Sequence, residues 1–368
     1  MEEGAGGGDF FRMRYNICMK TIKVGINGFG RIGRAFLKVA WERPEIEIVA
    51  VNDLSNVDNM AYLLKYDTAY GKWKHDIKVD GQDLVIDSPA KDGVKKKVKV
   101  LAEKDPSKLP WKDLDIDVVV ESTGLFISYE KAKVHLEAGA KKVVVTAPME
   151  DEPQTGVEGA TVLMGVNEGK FATCIITSNA SCTTNAASPL IAILDESLGI
   201  EKALLNTTHT LTNSQPTVDS INKHNMREGR AGGDNIVPSS TGAAIAVTKA
   251  FPKLAGLFDG IALRVPVICG SIVDVTFISK KNTTVEEVNK ILKKAADEKR
   301  WKGIFSVTEE ELVSSDIIGS PYGSIADLKL TRVVGGNLVK VLAWYDNEMG
   351  YTHTLIEHVI KTGKFIAN

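Results

Sequence analysis

A strand that runs into closely spaced glycines and then a helix has few ways to fold. Lys20 to Asn27 is a β-branched, apolar run, and it flows into Gly28-Phe29-Gly30-Arg31-Ile32-Gly33. Apolar spacing from Arg34 to Glu42 predicts a helix that stops before Pro44, and Glu47 to Asn52 predicts a second strand ending in Asp53. Each part has a mechanical reason. Gly28 permits the tight turn, Gly30 lets the backbone approach a pyrophosphate, and Gly33 lets the helix pack closely on the strand. The helix N-terminus offers unpaired N–H groups to phosphates. Asp53 lies twenty residues beyond Gly33 and can accept hydrogen bonds from a ribose. Its charge disfavours a 2′-phosphate, so the expected dinucleotide is NAD rather than NADP. A glycine turn alone often binds nothing. The flanking strand, helix and acid make binding the stronger reading.

Further runs extend the sheet. Asp117 to Glu121 and Lys142 to Thr146 are continuous apolar strands, with a helix-like stretch from Tyr129 to Ala138 between them. Such strands suit a parallel sheet covered on both faces. Between Trp73 and Leu101, short alternating runs predict an antiparallel excursion, with Lys95 to Lys97 read as a solvated turn, and Met149 to Thr161 reads as a surface loop. The 368 residues suffice for two domains. Basic minus acidic residues is 45 − 47 = −2, which gives no argument for a nucleic acid or an anionic membrane. No apolar run approaches the roughly 20 residues of a membrane-spanning helix. Residues 1–19 carry no long apolar stretch, and their Gly-rich text reads as a disordered extension or an artefact of start assignment, with Met19 as the true start. Four scattered cysteines (Cys18, Cys174, Cys182 and Cys269) fit a reducing cytoplasm, and no spacing suggests a metal site.

Cys182 has the most suggestive setting. Ile175 to Thr177 reads as a strand end, followed by Ser178-Asn179-Ala180-Ser181-Cys182-Thr183-Thr184-Asn185 and a helical stretch to about Leu198. Ser181 as N-cap puts Cys182 in the first helical turn, where the helix dipole favours a thiolate and can lower its pKa below the free value of about 8.5. A lone cysteine is more often a small buried hydrophobe. The hydroxyl residues at a helix start shift that balance. A thiolate nucleophile needs a base, and the candidates are His75, His135, His209, His224, His353 and His358. Composition alone does not choose among them.

The block at Ser178 to Asn185, Ser240 to Ala244, Arg264-Val265-Pro266, Trp344 to Glu348, Ile26 to Arg34 and Val51 to Leu54 together resemble the glyceraldehyde-3-phosphate dehydrogenase family. The resemblance runs in order from about Lys20 to the C-terminus, and the Cys182 block is its most specific part. It implies that Cys182 attacks an aldehyde and that His209 takes the thiol proton. An acyl thioester then forms as NAD is reduced, and inorganic phosphate releases an acyl phosphate. Matching positions imply an attacking-phosphate site at Ser181, Thr183, Thr241 and Gly242, and a substrate-phosphate site at Thr212 and Arg264, with Arg230 nearby. Around NAD the resemblance implies Gly28, Gly30, Arg31, Ile32, Gly33, Asp53, Ser122, Thr123, Asn347 and Tyr351. It also implies a homotetramer.

The expected architecture is α/β. A Rossmann-type doubly wound parallel sheet covers residues 20–181, and an α+β catalytic domain with a mostly antiparallel sheet covers 182–345. A C-terminal helix within 346–368 returns to the first domain. Strands are expected at Ala262 to Pro266, Ser271 to Ser279 and Val339 to Trp344, and helices at Thr284 to Ala296 and Tyr351 to Thr362. Three departures from the family pattern stand out: Ala186 replaces a second cysteine, Met349 replaces a tryptophan, and the loop 212–238 diverges. The nearest rival is erythrose-4-phosphate dehydrogenase, which shares the catalytic logic. Aspartate-semialdehyde dehydrogenase is a more distant rival, and Asp53 argues against it. A nucleotide-binding protein without enzymatic activity is the rival from another class.

Overall fold

The computed structural model describes residues 21–88, 94–223 and 225–366. The extension before Met19, Lys20, Cys18 and His224 lie outside the described residues. The chain builds two large sheets. The first runs β1 (Ile22–Asn27), β2 (Ile46–Asn52), β3 (Ile77–Asp80), β4 (Asp83–Asp87), β5 (Lys95–Leu101), β6 (Val118–Glu121), β7 (Lys142–Val145), β8 (Gly159–Thr161) and β9 (Ile176–Ser178). In space the order is β8-β9-β7-β6-β1-β2-β5-β4-β3. Every pair from β8 to β5 is parallel, and β5-β4-β3 is the antiparallel excursion. Val118, Val119 and Val120 of β6 and Val143, Val144 and Val145 of β7 are wholly buried, which is why those strands read as unbroken apolar runs.

The second sheet is mostly antiparallel. It contains β10 (Ile200–His209), β11 (Val237–Ser240), β12 (Phe258–Arg264), β13 (Ser271–Ser279), β14 (Phe305–Thr308), β15 (Ser324–Asp327), β16 (Arg332–Val334) and β17 (Leu338–Tyr345). Their order is β11-β12-β10-β13-β17-β15-β14, with β16 on β17. β13 alternates buried and half-buried residues along its whole length, as a sheet with one covered face requires. The principal helices are α1 (Arg31–Ala40), α2 (Val57–Lys65), α3 (Cys182–Ser197), α4 (Ala243–Ala250), α5 (Val285–Ala296) and α6 (Met349–Gly363). α6 packs back against α1 and β6 of the first sheet, and its Tyr351, Leu355, Ile356 and Val359 enter that core. Among the described residues, no helix is long and apolar enough to cross a membrane.

Several sequence expectations shift. α1 starts at Arg31, three residues before the expected Arg34, because the chain enters the helix directly from Gly30. Tyr129 to Ala138 is not one helix but two short turns, Tyr129–Ala132 and Val134–Glu137. Lys95 to Lys97 is not a turn but the exposed start of β5, paired with Asp87 to Val85. The presumed surface loop before Thr161 ends in an edge strand, and Met149 is buried.

The glycine turn depends on close packing rather than on sequence alone. Gly28 has φ +94°, a region that side chains disfavour. A Cβ on Gly33 would lie 2.2 Å from the Gly28 carbonyl oxygen, whereas a Cβ on Gly30 would meet nothing within 4 Å. We therefore expect Gly33→Ala to cost about 1–3 kcal/mol by overpacking and Gly30→Ala to leave the melting temperature near that of the parent. Paired thermal melts check this; equal melting temperatures would show that the turn does not need the close approach.

Candidate active site

α3 starts where the sequence placed it. Ser181 is its N-cap, in extended backbone, and its hydroxyl accepts from the Thr184 N–H at 3.1 Å. Cys182 is the first helical residue. It keeps a partly exposed face and packs against both hydrophobic cores. His209 ends β10, an interior strand of the second sheet, and its Nε2 lies 3.3 Å from Cys182 Sγ. The topology thus joins a helix start and a strand end 27 residues apart. Among the described histidines only His209 contacts this thiol. His358 is buried on Thr177 and Asn179, His135 on Glu121, and His75 on Glu42.

The ring of His209 is held on its far side. Nδ1 is 2.8 Å from the Thr210 carbonyl and 2.6 Å from Arg264 Nη1. These neighbours ask for opposite things. The carbonyl accepts an Nδ1 proton, which leaves Nε2 as an acceptor for the thiol. The guanidinium can only donate, which puts the proton on Nε2. Burial, and then the Arg264 charge, hold the imidazole down to about 4. Burial pushes the Cys182 thiol up, against the pull of Arg264 and of the Thr183 N–H and hydroxyl. The surroundings therefore do not favour the expected lowering of the thiol pKa: burial acts to raise it, against Arg264 and the Thr183 donors. Enclosure between two cores outweighs the helix start.

Tyr345 completes the base of the site, and residue patterns did not single it out. Its hydroxyl meets Thr183 Oγ1 at 2.9 Å and Thr207 Oγ1 at 2.7 Å, and its ring stands edge-on to His209 at 6.0 Å. The hydroxyl of Thr183 thus has a buried partner behind the helix start. Thr241 and Gly242 precede α4, where the Thr241 hydroxyl accepts from the Ala243 N–H at 3.2 Å. Thr212 bonds Gln215 and Ser214 within its own loop. Arg230 is exposed and pairs with Asp219 at 2.9 Å, with no contact to Cys182, His209 or Arg264.

The glycine turn forms one wall of a cleft of about 320 Å³, also lined by Asp53, Ser122, Thr123 and Phe126. The Asp53 carboxylate accepts from the Phe29 N–H at 2.8 Å and the Ser55 N–H at 2.9 Å. Burial opposes its charge, but these donors outweigh that and hold it below its ordinary value, so it stays ionised. Ser122 Oγ donates to the Gly28 carbonyl at 2.7 Å and locks the turn from beneath. The open space over Gly30, the start of α1 and an ionised acid fit a dinucleotide without a 2′-phosphate. Ile32 packs on the core below. Arg31 is bound to Glu348 and Asp67. Asn347 is buried, and its Oδ1 accepts from Gly270 N at 3.2 Å, so its NH₂ is the group able to meet a carboxamide. Tyr351 is fully packed, its hydroxyl on the Ala180 carbonyl at 3.0 Å, beneath the thiol's loop rather than in the open cleft.

Comparison with known proteins gives one consistent family. Residues 22–129 match the model described as glyceraldehyde 3-phosphate dehydrogenase, NAD binding domain, and residues 181–347 match its C-terminal domain. The chain is 46% identical to the glyceraldehyde-3-phosphate dehydrogenase of Mycobacterium avium, covering 94% of this chain and 99% of that protein. It is 45% identical to that of Eremothecium gossypii over 92% of this chain and 99% of that one. It is 44% identical to that of Streptomyces coelicolor over 93% and 99%.

Arg264 acts on both members of the thiol–imidazole pair, with opposite signs in pKa. A cation favours a thiolate and disfavours an imidazolium. Arg264→Gln should therefore move the inflection of Cys182 alkylation to higher pH and raise the His209 pKa from about 4 toward its ordinary value. Alkylation rate against pH and histidine NMR titration measure the two; an inflection that stays put or falls would remove Arg264 as the source of the field.

Proposed function

The chain belongs to the glyceraldehyde-3-phosphate dehydrogenase family, and on that premise we propose that it oxidises glyceraldehyde 3-phosphate to 1,3-bisphosphoglycerate. The observation that carries the proposal is the Cys182–His209 contact at a capped helix start, with Arg264 behind the imidazole. Cys182 Sγ adds to the aldehyde carbon while its proton passes to His209 Nε2, which returns it to, or shares it with, the new hemithioacetal oxygen. The Cys182 backbone N–H, at the first helical position, would help stabilise the charge that this oxygen gains. Bound NAD supplies the hydride acceptor that turns the hemithioacetal into a thioester. An oxygen of inorganic phosphate then adds to the thioester carbonyl, the carbon–sulfur bond breaks, and the sulfur is regained. Low pKa suits His209 to this cycle, because it is neutral at working pH and able to take a proton each turn.

The remaining site residues take matching roles. Gly28, Gly30, Arg31, Ile32 and Gly33 would hold the pyrophosphate side of NAD, with Asp53 on the ribose, Ser122 and Thr123 on the adenosine side, and Asn347 at the carboxamide. Tyr351 would support the same end from below. Ser181, Thr183, Thr241 and Gly242 would hold the attacking phosphate, and Thr212 and Arg264 the substrate phosphate. Hydroxyls, helix-start N–H groups and a guanidinium are suitable donors for such oxygens. Arg230 joins them only if the Asp219 pair opens. The same reading assigns 20–181 to NAD binding, 182–345 to catalysis and 346–368 to a returning helix. It also makes the protein a cytoplasmic homotetramer. The two sheets and the packing of α6 on α1 support that division.

The test is NADH formation from glyceraldehyde 3-phosphate with and without inorganic phosphate, beside erythrose 4-phosphate. Phosphate-dependent turnover favouring the three-carbon substrate is expected, and Cys182→Ser should abolish it. Preference for the four-carbon substrate would reassign the enzyme. Asp53→Gly should lower the ratio of NAD to NADP catalytic efficiency at least tenfold, because a carboxylate next to a 2′-phosphate is repelled. A ratio unchanged from the parent would show that another group makes the choice.

A further inference from the structure

Glu121 and His135 are titratable side chains that the catalytic cycle leaves unused, and both are wholly enclosed. Glu121 ends β6 and pairs in register with Asn27, the last residue of β1. It therefore stands at the carboxyl ends of two parallel strands, where such sheets receive their ligands. Its two oxygens divide four donors. Oε1 accepts from the Thr123 N–H at 2.8 Å and from the Thr123 hydroxyl. Oε2 accepts from Asn27 Nδ2 at 2.6 Å and from His135 Nε2 at 2.9 Å. Trp111 fixes the histidine's role. Its indole N–H can only donate, and it meets His135 Nδ1 at 3.2 Å, which leaves the ring proton on Nε2. Asn27 cannot turn over either, because its Oδ1 accepts from Asn52 Nδ2 at 2.8 Å, and the Asn52 amide is bound at both ends to the Glu103 backbone.

Asn27 leads into the glycine turn, and Thr123 belongs to the turn that follows β6. Both line the dinucleotide cleft, whereas His135 and Trp111 do not. The two turns are packed together: a Cβ on Gly28 would lie 2.7 Å from the Thr123 nitrogen. We propose that Glu121 is a positioning residue for NAD. It acts through Asn27 and Thr123, holding the two turns at the separation the dinucleotide needs, with His135 and Trp111 as its anchor. The inference rests on this cleft being the NAD site. The shell calls for a carboxylate, since all four neighbours donate. A glutamine offers one oxygen and one NH₂, so whichever way it faces, two donors lose their acceptor and one turn is released.

The experiment is a calorimetric titration of NAD into the full-length protein, which reads binding without turnover, beside steady-state kinetics. Glu121→Gln should weaken NAD binding and raise the KM for NAD at least tenfold. The kcat at saturating NAD and the KM for the aldehyde should stay within twofold of the parent, as should the rate of Cys182 alkylation without NAD. Trp111→Phe removes the indole N–H outside the cleft and should weaken NAD severalfold. A folded Glu121→Gln protein with parent NAD affinity overturns the proposal. So does a loss shared equally by NAD affinity, kcat and thiol reactivity, which marks a merely structural role. Parent protein that binds no NAD overturns the cleft assignment itself, and the proposal with it. Should Glu121→Gln fail to fold, Trp111→Phe decides, and unchanged NAD affinity there overturns the proposal.

Discussion

One buried carboxylate holds the two halves of this molecule in register. Asp346 is wholly enclosed and accepts from five donors: Tyr70 Oη at 2.8 Å, Cys269 Sγ at 3.2 Å, and the N–H groups of Gly319, Glu348 and Met349 at 2.7, 2.9 and 2.8 Å. A charge so buried survives only when its lone pairs are met. Here they are met from segments flanking both sheets. Tyr70 comes from the nucleotide side, while Cys269 and Gly319 come from the catalytic side. The two backbone donors after Asp346 open α6, so the same carboxylate also fixes where the last helix begins. Asn347 lies inside this clamp, and Glu348 beyond it binds Arg31 at the start of α1. The start of α1 and the Asn347 amide are thereby tied through a few covalent bonds. Slippage between the halves would break several charge-assisted bonds together.

The thiol lies on the same boundary. α3 is buried from Thr183 to Asp195, and Cys182 at its tip touches both cores. A helix enclosed on every side cannot rotate to suit a ligand, so its first turn is as rigid as the cores are. That rigidity explains why Ser181 must cap through its own hydroxyl and why Thr183 is pinned to Tyr345. It also sets the direction in which burial moves the thiol. A site made precise by burial on two sides disfavours separated charge, and Arg264 is the nearby cation that offsets this for the sulfur alone.

What was legible in the sequence follows the range of the interactions. The glycine turn, the Ser181 cap and the Cys182 helix start are decided within a few residues, and the chain reads correctly there. The valine runs of β6 and β7 are buried on both faces and so carry no competing signal. Errors arise where a distant partner decides. Lys95 to Lys97 looks like a solvated turn, yet β4 pairs with it and Lys97 reaches Asp80 and Asp83. Nor does any local signal announce that Tyr345, 162 residues away, meets the Thr183 hydroxyl. His209 could not be chosen among six histidines by pattern, because only the meeting of β10 with α3 puts it on the thiol. Tyr345 and Asp346 were visible as letters in a familiar block, but their work depends on contacts across the sheets.

Asp53 shows how fold and selectivity become inseparable in such a site. Its two oxygens already hold the Phe29 N–H of the glycine turn and the Ser55 N–H before α2. Each oxygen still has a lone pair, and these are what a ribose diol can use. The carboxylate proposed to discriminate against a 2′-phosphate is therefore also a brace between the glycine turn and the end of β2. A neutral residue at this position removes repulsion and brace together. Altered cofactor choice then comes with a looser turn, and recovering affinity requires a new donor to Phe29 as well as a new cation for the phosphate. The constraint is geometric: the side chain that braces the glycine turn to the segment before α2 also lines the cleft.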